Sequence, residues 1–70
     1  MQIEFTEHTK SRLQIRSIHE QELIDTINYP DKIIKFQGKY YYQKKLNRGT
    51  LEAVCEKTKT HIKVITLYLK

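Results

Sequence analysis

The sequence contains no tryptophan, one cysteine, one proline and two glycines among its 70 residues. Its single cysteine, Cys55, cannot form an internal disulfide, which excludes a fold held together by disulfides. With one cysteine and three scattered histidines, the spacing of a metal site is missing, so we expect no metal and no other cofactor. No run of about 18 apolar residues occurs, so we expect no transmembrane helix. The opening MQIEFTEH lacks the basic and apolar segments of a secretory signal, so we expect a cytoplasmic protein.

Acidic residues are scarce in the second half of the chain. Residues 1–31 carry three basic and six acidic side chains, a net charge of −3, whereas residues 32–70 carry ten basic and two acidic side chains, a net charge of +8. From Lys32 to Thr50 there are six cations and no carboxylate. A segment this basic attracts polyanions through its long-range field and through counterion release. The expected partner is therefore RNA or another nucleic acid, and the alternative is that the lysines serve solubility alone.

The apolar pattern of the first half predicts two short helices. Residues 1–5 alternate polar and apolar side chains and suit a short extended lead-in. Thr6 is a predicted N-cap for a helix that runs to about Ile15. Ser17–Glu20 has the pattern of a capping box and is expected to start a second helix. This helix ends before Pro30, because the residue preceding a proline is pushed out of the α region.

The second half has the periodicity of strands. Four segments have this pattern: 32–37, 39–46, 50–57 and 61–69. In the last segment, Ile62, Val64, Thr66 and Tyr68 are expected to share one face. We expect an α+β fold of one domain, residues 1–70, in which two N-terminal helices pack on an antiparallel sheet of three to four strands, in two layers. A chain of 70 residues has no further elements with which to cover a second apolar face of the sheet. A homodimer or a protein partner is therefore expected to cover the exposed apolar side chains.

The order of several short motifs resembles a group of small prokaryotic proteins. Their opening is F-T-x-H, followed by an arginine four residues after the histidine and by R-G-I; a Y-x-x-K strand and a V-x-T-x-Y strand follow. The matching segments here are Phe5–His8, Arg12, Arg16–Ile18, Tyr41–Lys44 and Val64–Tyr68. Ser17 stands where the pattern has glycine, and Thr9 stands where a small apolar residue is common.

This group is in turn similar to the RelE and BrnT toxins, at the level of the fold. The resemblance implies a RelE-like arrangement of two layers and a place in a toxin–antitoxin type system. It also implies metal-independent cleavage of RNA and an acidic antitoxin as partner. Function resides in the site and not in the fold, so the residues that could carry this chemistry have to be found in the sequence.

The first predicted helix carries the candidate catalytic residues. His8 and Arg12 are four residues apart and therefore lie on one helix face. A histidine can take the proton of the ribose 2′-OH, and the planar fork of an arginine can stabilise the charge that develops on the phosphate. We predict that His8 and Arg12 are catalytic. The alternatives are that His8 caps the helix and that Arg12 pairs with Glu7, Asp31 or a carboxylate of the sheet.

Further residues are predicted to surround this pair. Those predicted to contact nucleic acid are Arg16, Tyr42, Lys44, Lys45 and Arg48, and those predicted to line the site are Thr66 and Tyr68. Most have a structural alternative. Arg16 could brace the helix junction, Lys44 and Lys45 could form a solvated face, Tyr42 could lie in the core, and Thr66 and Tyr68 could face the helical layer. Two functions remain open. The protein is either a toxin-like, metal-independent endoribonuclease or RNA-binding protein, or a non-catalytic small domain that binds nucleic acid or a protein partner.

Overall fold

One five-stranded sheet and two helices make up residues 2–70, the part of the chain that the computed structural model describes. The elements in chain order are β1 (Gln2–Phe5), α1 (Glu7–Ile15), α2 (Glu20–Asn28), β2 (Lys32–Phe36), β3 (Lys39–Leu46), β4 (Gly49–Lys57) and β5 (His61–Leu69). Across the sheet the order is β1-β5-β4-β3-β2. The pairs β2–β3, β3–β4 and β4–β5 are antiparallel, whereas β1 and β5 are parallel.

The expected antiparallel sheet of three to four strands is wrong, because the start of the chain adds a parallel strand. In β1, Ile3 lies opposite Ile62 and Phe5 lies opposite Val64. Ile3 and Phe5 also pack against the buried core. The alternation in residues 2–5 indicated an extended segment, but so short a segment does not reveal its partner. The open edge of β5 pairs with the backbone of β1, and the core covers the apolar side chains of β1. The broader class, α+β, is unchanged.

Both helices pack on one face of the sheet. In α2, Leu23 and Ile27 are four residues apart, so they form one apolar stripe, and both are buried. They belong to a core cluster whose other members are Leu13, Ile18, Tyr42, Leu51, Ala53, Cys55, Ile62, Val64 and Leu67. Within residues 2–70, neither helix has the length and apolar character needed to cross a membrane.

The two helices begin at different kinds of cap. Thr6 caps α1 as predicted, since its Oγ1 accepts a hydrogen bond from the Thr9 N–H at 3.2 Å. The capping box predicted at residues 17–20 is wrong by two positions, because α2 begins after His19, whose N–H donates to Glu22 Oε1 at 3.0 Å. Ser17 instead follows the end of α1 with a φ of +52°. This left-handed conformation explains why glycine suits that position.

A bulge interrupts the pairing of β4 and β5. Val54 lies opposite Thr66, whereas the next residue, Cys55, lies opposite Val64. Ile65 is therefore an extra residue in β5 that has no paired residue in β4. Such an insertion inverts the alternation of side chains in the rest of the strand.

The bulge decides which side chains of β5 reach solvent. Beyond it, Leu67 points into the core and is fully buried. Thr66 and Tyr68 lie on the opposite face. The expectation that Thr66 and Tyr68 share a face with Ile62 and Val64 is therefore wrong, because a strict period of two cannot anticipate an inserted residue.

The sheet face away from the helices forms a separate surface. Cross-strand pairing sets its central residues side by side in β3, β4 and β5. We call this surface the open face, and its residues are Tyr41, Gln43, Glu52, Val54, Thr66 and Tyr68. Val54 is buried but does not belong to the core cluster, which agrees with a place on this second face.

Candidate functional site

Hydrogen bonds attach the first turn of α1 to the bulge of β5. Thr9 is fully buried, and its hydroxyl donates to the Val64 carbonyl oxygen at 2.9 Å. The Thr6 N–H donates to the same oxygen at 3.4 Å, and Thr6 Oγ1 lies 3.2 Å from the Ile65 carbonyl oxygen. β1 ends at Phe5, so beyond that residue these carbonyl groups meet α1 instead of a strand. The helix is thereby held at the edge of the sheet beside the bulge.

This attachment brings His8 and Arg12 to the open face. His8 Nε2 lies 3.1 Å from Thr66 Oγ1 and 3.3 Å from Arg12 Nε, which is the donor in that contact. Because the guanidinium Nε–H can only donate, Nε2 must be the unprotonated nitrogen and Nδ1 must carry the proton.

The guanidinium of Arg12 also contacts an aromatic ring. Its Cζ lies 5.9 Å from the centre of the Tyr68 ring, a cation–π contact on a tyrosine that is 39% exposed. Within residues 2–70, Arg12 makes no ion pair with a carboxylate. The acids proposed as its partners bind elsewhere: Glu7 pairs with Lys10 at 3.6 Å, and Asp31 accepts the Lys45 N–H at 2.7 Å.

The structure thus brings together four of the residues predicted from the sequence. His8 and Arg12 come from α1, and Thr66 and Tyr68 come from β5. We call this group the His8–Arg12 cluster. It presents an exposed imidazole and a half-buried guanidinium that has no carboxylate partner in the described chain.

Next to Tyr68, the open face holds a buried carboxylate that sequence reasoning missed. Glu52 lies opposite Tyr68 in the register of β4 and β5 and is only 7% exposed. Its Oε2 accepts from Gln43 Nε2, 2.6 Å away, and its Oε1 pairs with Lys70 Nζ at 3.1 Å. The signal in the sequence was a lone acid within the apolar stretch Leu51–Cys55.

The environment of Glu52 favours its ionised form. Burial raises the pKa of this carboxyl, but the hydrogen bonds from Gln43 and Lys70 and the charge of Lys70 lower it by more. The net result is a pKa below the ordinary value. Glu52 therefore stands beside the His8–Arg12 cluster as a charge that is already neutralised by its own partners.

Arg48, a predicted RNA contact, braces the junction between the helices. Its Nη2 lies 2.7 Å from Glu22 Oε1 and 3.3 Å from the Ser17 carbonyl oxygen. The hydrogen bond from the His19 N–H and then the one from Arg48 hold the pKa of Glu22 below its ordinary value. A brace at this junction was the structural alternative for Arg16, and the structure gives that role to Arg48 instead.

The other predicted cations are spread over the surface. Lys44 Nζ donates to the carbonyl oxygen of Tyr29, the residue that follows α2, at 2.9 Å. Lys45 is exposed and shares a face of β3 with Tyr41, while Arg16 is exposed at the end of α1. Of these three residues, only Lys45 lies on the side of the sheet that carries the open face.

The tyrosine predicted to stack on a base is a core residue. Tyr42 is 4% exposed and lies opposite Ala53 on the helical side of the sheet. Its ring is out of reach of a nucleic acid base. Tyr41, one residue earlier, lies opposite Val54 on the open face. The three consecutive tyrosines alternate between faces, and only the register with β4 shows which one is accessible.

The site is a surface rather than a pocket. A cavity of 430 Å³ lies between the helices, lined in part by Glu7, Lys10 and Gln14 of α1 and by Ile18, and it includes neither His8 nor Arg12. Among the described residues, no three His, Cys, Asp or Glu side chains are grouped as metal ligands would be. What the cluster offers to a ligand is therefore hydrogen bonding, positive charge and an aromatic ring.

These features define a small α+β domain with a histidine–arginine cluster beside a bulged strand. Residues 5–69 match the family described as "Domain of unknown function (DUF4258)", and the chain belongs to that family. No curated protein and no solved structure matches the chain. The matched span includes the whole His8–Arg12 cluster, while the similarity to the RelE and BrnT toxins stays a prediction.

Proposed function

We propose that the protein is a toxin-like, metal-independent endoribonuclease or RNA-binding protein, and that the His8–Arg12 cluster is its phosphate-binding site. One observation supports this proposal above the others. An exposed imidazole and a guanidinium without a carboxylate partner in residues 2–70 are held side by side, by Thr66 and Tyr68. A guanidinium can donate two parallel hydrogen bonds to phosphate oxygens, and at Arg12 no carboxylate of the described chain competes with a bound anion.

Arg12 is suited to bind a phosphodiester. Its planar fork can donate two hydrogen bonds to phosphate oxygens, and the cation–π contact with the Tyr68 ring limits its motion. His8 lies in the first turn of α1, where the helix dipole favours an anion, whereas Arg12 lies in the last turn. Tyr68 and Tyr41 supply exposed or half-exposed rings on which bases can stack.

His8 is suited to act as the general base. Arg12 donates to its Nε2 in the free protein. When Arg12 turns to a bound phosphate, the lone pair of Nε2 is released and can accept the proton of the ribose 2′-OH. The 2′ oxygen then attacks the adjacent phosphorus, the bond from phosphorus to the 5′ oxygen breaks, and a 2′,3′-cyclic phosphate forms. Arg12 stabilises the charge on the phosphorane, and the leaving 5′ oxygen takes a proton from the imidazolium or from water.

A second function is favoured by the positions of the other cations. Arg48 and Lys44 are bound to groups of the helical layer, so they do not converge on the His8–Arg12 cluster. A single imidazole with one guanidinium is a minimal catalytic set. The alternative is therefore a non-catalytic domain that uses the same cluster to bind nucleic acid or a protein partner.

The proposed system also specifies partners and a location. A chain with a net charge of +5 suits an acidic antitoxin that covers the RNA site, because opposite charge steers association. A homodimer is the alternative way to cover exposed apolar side chains. The proposed place of action is the cytoplasm, where messenger RNA is found.

The experiment measures cleavage of RNA in the presence of EDTA. Purified protein is added to free RNA and, separately, to a message on translating ribosomes, since many toxins of this kind act only there. We expect cleavage that His8→Ala and Arg12→Ala abolish. The matched control is His61→Ala, which removes a histidine from the far end of β5 and is expected to retain full activity. Arg16→Ala is expected to keep cleavage and to weaken binding at low salt.

Binding is measured in parallel at two salt concentrations. Salt-dependent binding without cleavage on either substrate would support the non-catalytic alternative. Binding that is insensitive to salt, or equal in the wild type and in both cluster variants, would contradict an RNA site at His8 and Arg12.

A further inference from the structure

The strand at the far edge of the sheet has an exposed, unpaired side. β2 pairs with β3 alone, and all five of its residues are exposed. Three of them are large and apolar: Ile33 is 52%, Ile34 37% and Phe36 58% exposed. In an antiparallel pair, alternate residues direct their N–H and C=O groups away from the partner strand. The free side of β2 therefore combines backbone groups that no strand pairs with and apolar side chains.

Edge strands are usually protected against such exposure by bulges, prolines, very short length or charged side chains, especially lysine. β2 has a regular register of five residue pairs with β3, from Lys32–Gln43 to Phe36–Lys39, without a bulge. The one proline of the chain, Pro30, precedes the strand. Lysine is the only one of the usual protective features that β2 contains, at Lys32 and Lys35.

The charges around β2 indicate what can pair with it. Between Lys32 and Thr50 all six charged side chains are cationic. A second copy of this chain would bring an identical set of cations to the interface, and like charges across an interface are unfavourable. An extended segment with carboxylates would instead meet opposite charge at Lys32 and Lys35.

We propose that β2 is a docking strand for an extended acidic segment of a partner protein, which adds to the five-stranded sheet as a further strand. Main-chain hydrogen bonds to the free side of β2 supply affinity, and alternate side chains supply specificity. Apolar residues of the segment lie beside Ile34 and Phe36, which share the side of the sheet that carries Tyr41. Its carboxylates lie beside Lys35, whose Nζ is 5.5 Å from the centre of the Tyr40 ring. This inference does not depend on RNA cleavage.

The test uses a defined probe, a capped octapeptide of alternating glutamate and valine. In an extended conformation it presents valines on one face and carboxylates on the other. We expect saturable binding, with slower amide hydrogen exchange confined to residues 32–36 in NMR spectra. A peptide in which a central valine is replaced by proline lacks one N–H and is expected not to bind.

Variants of β2 separate its contributions. Phe36→Ser and Ile34→Ser are expected to weaken binding about tenfold or more. The matched control is Ile15→Ser, which alters an isoleucine that is 78% exposed on α1 and is expected to bind like the wild type. Lys35→Glu is expected to abolish binding at low salt, whereas Lys59→Glu, in the turn before β5, leaves it within about twofold. Circular dichroism confirms that each variant is folded.

Three results would overturn the proposal. The first is peptide binding that leaves hydrogen exchange in β2 unchanged or responds equally to the control variants. The second is concentration-dependent self-association that protects β2 without peptide, since the occupant would then be a second copy. The third is protection of β2 by RNA and not by the peptide, which would make this edge part of a nucleic acid surface.

Discussion

Arg12 and Tyr68 come from opposite ends of the chain, yet the guanidinium carbon lies 5.9 Å from the centre of the tyrosine ring. Two features make this contact. Thr9 holds α1 against the carbonyl oxygen of Val64, and the extra residue Ile65 turns Tyr68 away from the core. The candidate site thus depends on an irregularity of the sheet as much as on the helix that carries His8.

Removal of the tyrosine ring should weaken the position of Arg12. In a double-mutant cycle of Arg12→Ala and Tyr68→Ala, we expect a coupling free energy of about 0.5–1 kcal/mol, the range of exposed cation–π contacts. The free energy of unfolding is measured with urea. Tyr68→Phe keeps the ring and should behave like the wild type. A coupling of zero would show that the guanidinium is not held by Tyr68 in solution.

Loss of the Thr9 hydroxyl should destabilise the protein. In Thr9→Val the Val64 carbonyl oxygen keeps only the long bond from the Thr6 N–H, 3.4 Å in length. We expect unfolding to become easier by about 1–3 kcal/mol, because a buried acceptor loses its close donor. Thr60→Val, at an exposed site, is the control and should change stability by less than about 0.5 kcal/mol. Equal effects of the two substitutions would contradict the attachment of α1 to the bulge.

Glycine should stabilise the junction between the helices. Ser17 has a φ of +52°, a conformation that costs a residue with a side chain roughly 1 kcal/mol. Ser17→Gly is therefore expected to raise the free energy of unfolding by about 0.5–1 kcal/mol. In contrast, Ser11→Gly within α1 is expected to lower it by a few tenths of a kcal/mol, because glycine is a poorer helix former than serine. Stabilities measured by urea denaturation should move in opposite directions.

The stability contributed by Glu52 should disappear in acid. Its pKa in the folded state lies below the ordinary value of 4.5, so the unfolded chain binds the proton more readily. The contribution of Glu52 to stability is complete at a pH above 4.5, the pKa of the unfolded chain. It is lost as the pH falls through the lower pKa of the folded state. Glu52→Gln should flatten the acid limb of the curve of stability against pH, while Glu56→Gln, at an exposed site, should leave it unchanged. An unaltered acid limb in Glu52→Gln would contradict the contacts with Gln43 and Lys70.

The thiol of Cys55 should be inert in the folded protein. The side chain is fully buried, and burial raises its pKa to about 12. Because the thiolate is the reactive form, a thiol-reactive disulfide reagent at about pH 8 should modify Cys55 only after unfolding. The rate of modification is compared with and without urea. Rapid modification without denaturant would show that β4 is accessible, contrary to its place in the middle of the sheet.

Local sequence signals predicted most of the elements, and all four residues of the His8–Arg12 cluster were among the predicted site residues. The Thr6 cap, the apolar stripe of α2 and the strand periodicities depend on neighbouring residues, so they can be recognised without a structure. The spacing of His8 and Arg12 likewise requires only the helical repeat. The prediction failed where distant residues decide, as at Tyr42, whose burial depends on the register of β3 with β4.

The sequence by itself determined two short helices followed by strands, and a basic segment that begins at Lys32. Only the tertiary structure decided that residues 2–5 form a parallel edge strand, that Ile65 is a bulge and that Arg48 braces the helices. The physical reason is the range of the interactions. Helix caps and periodicity involve residues a few positions apart, whereas strand partners, register and ion pairs join segments that meet only when the core closes.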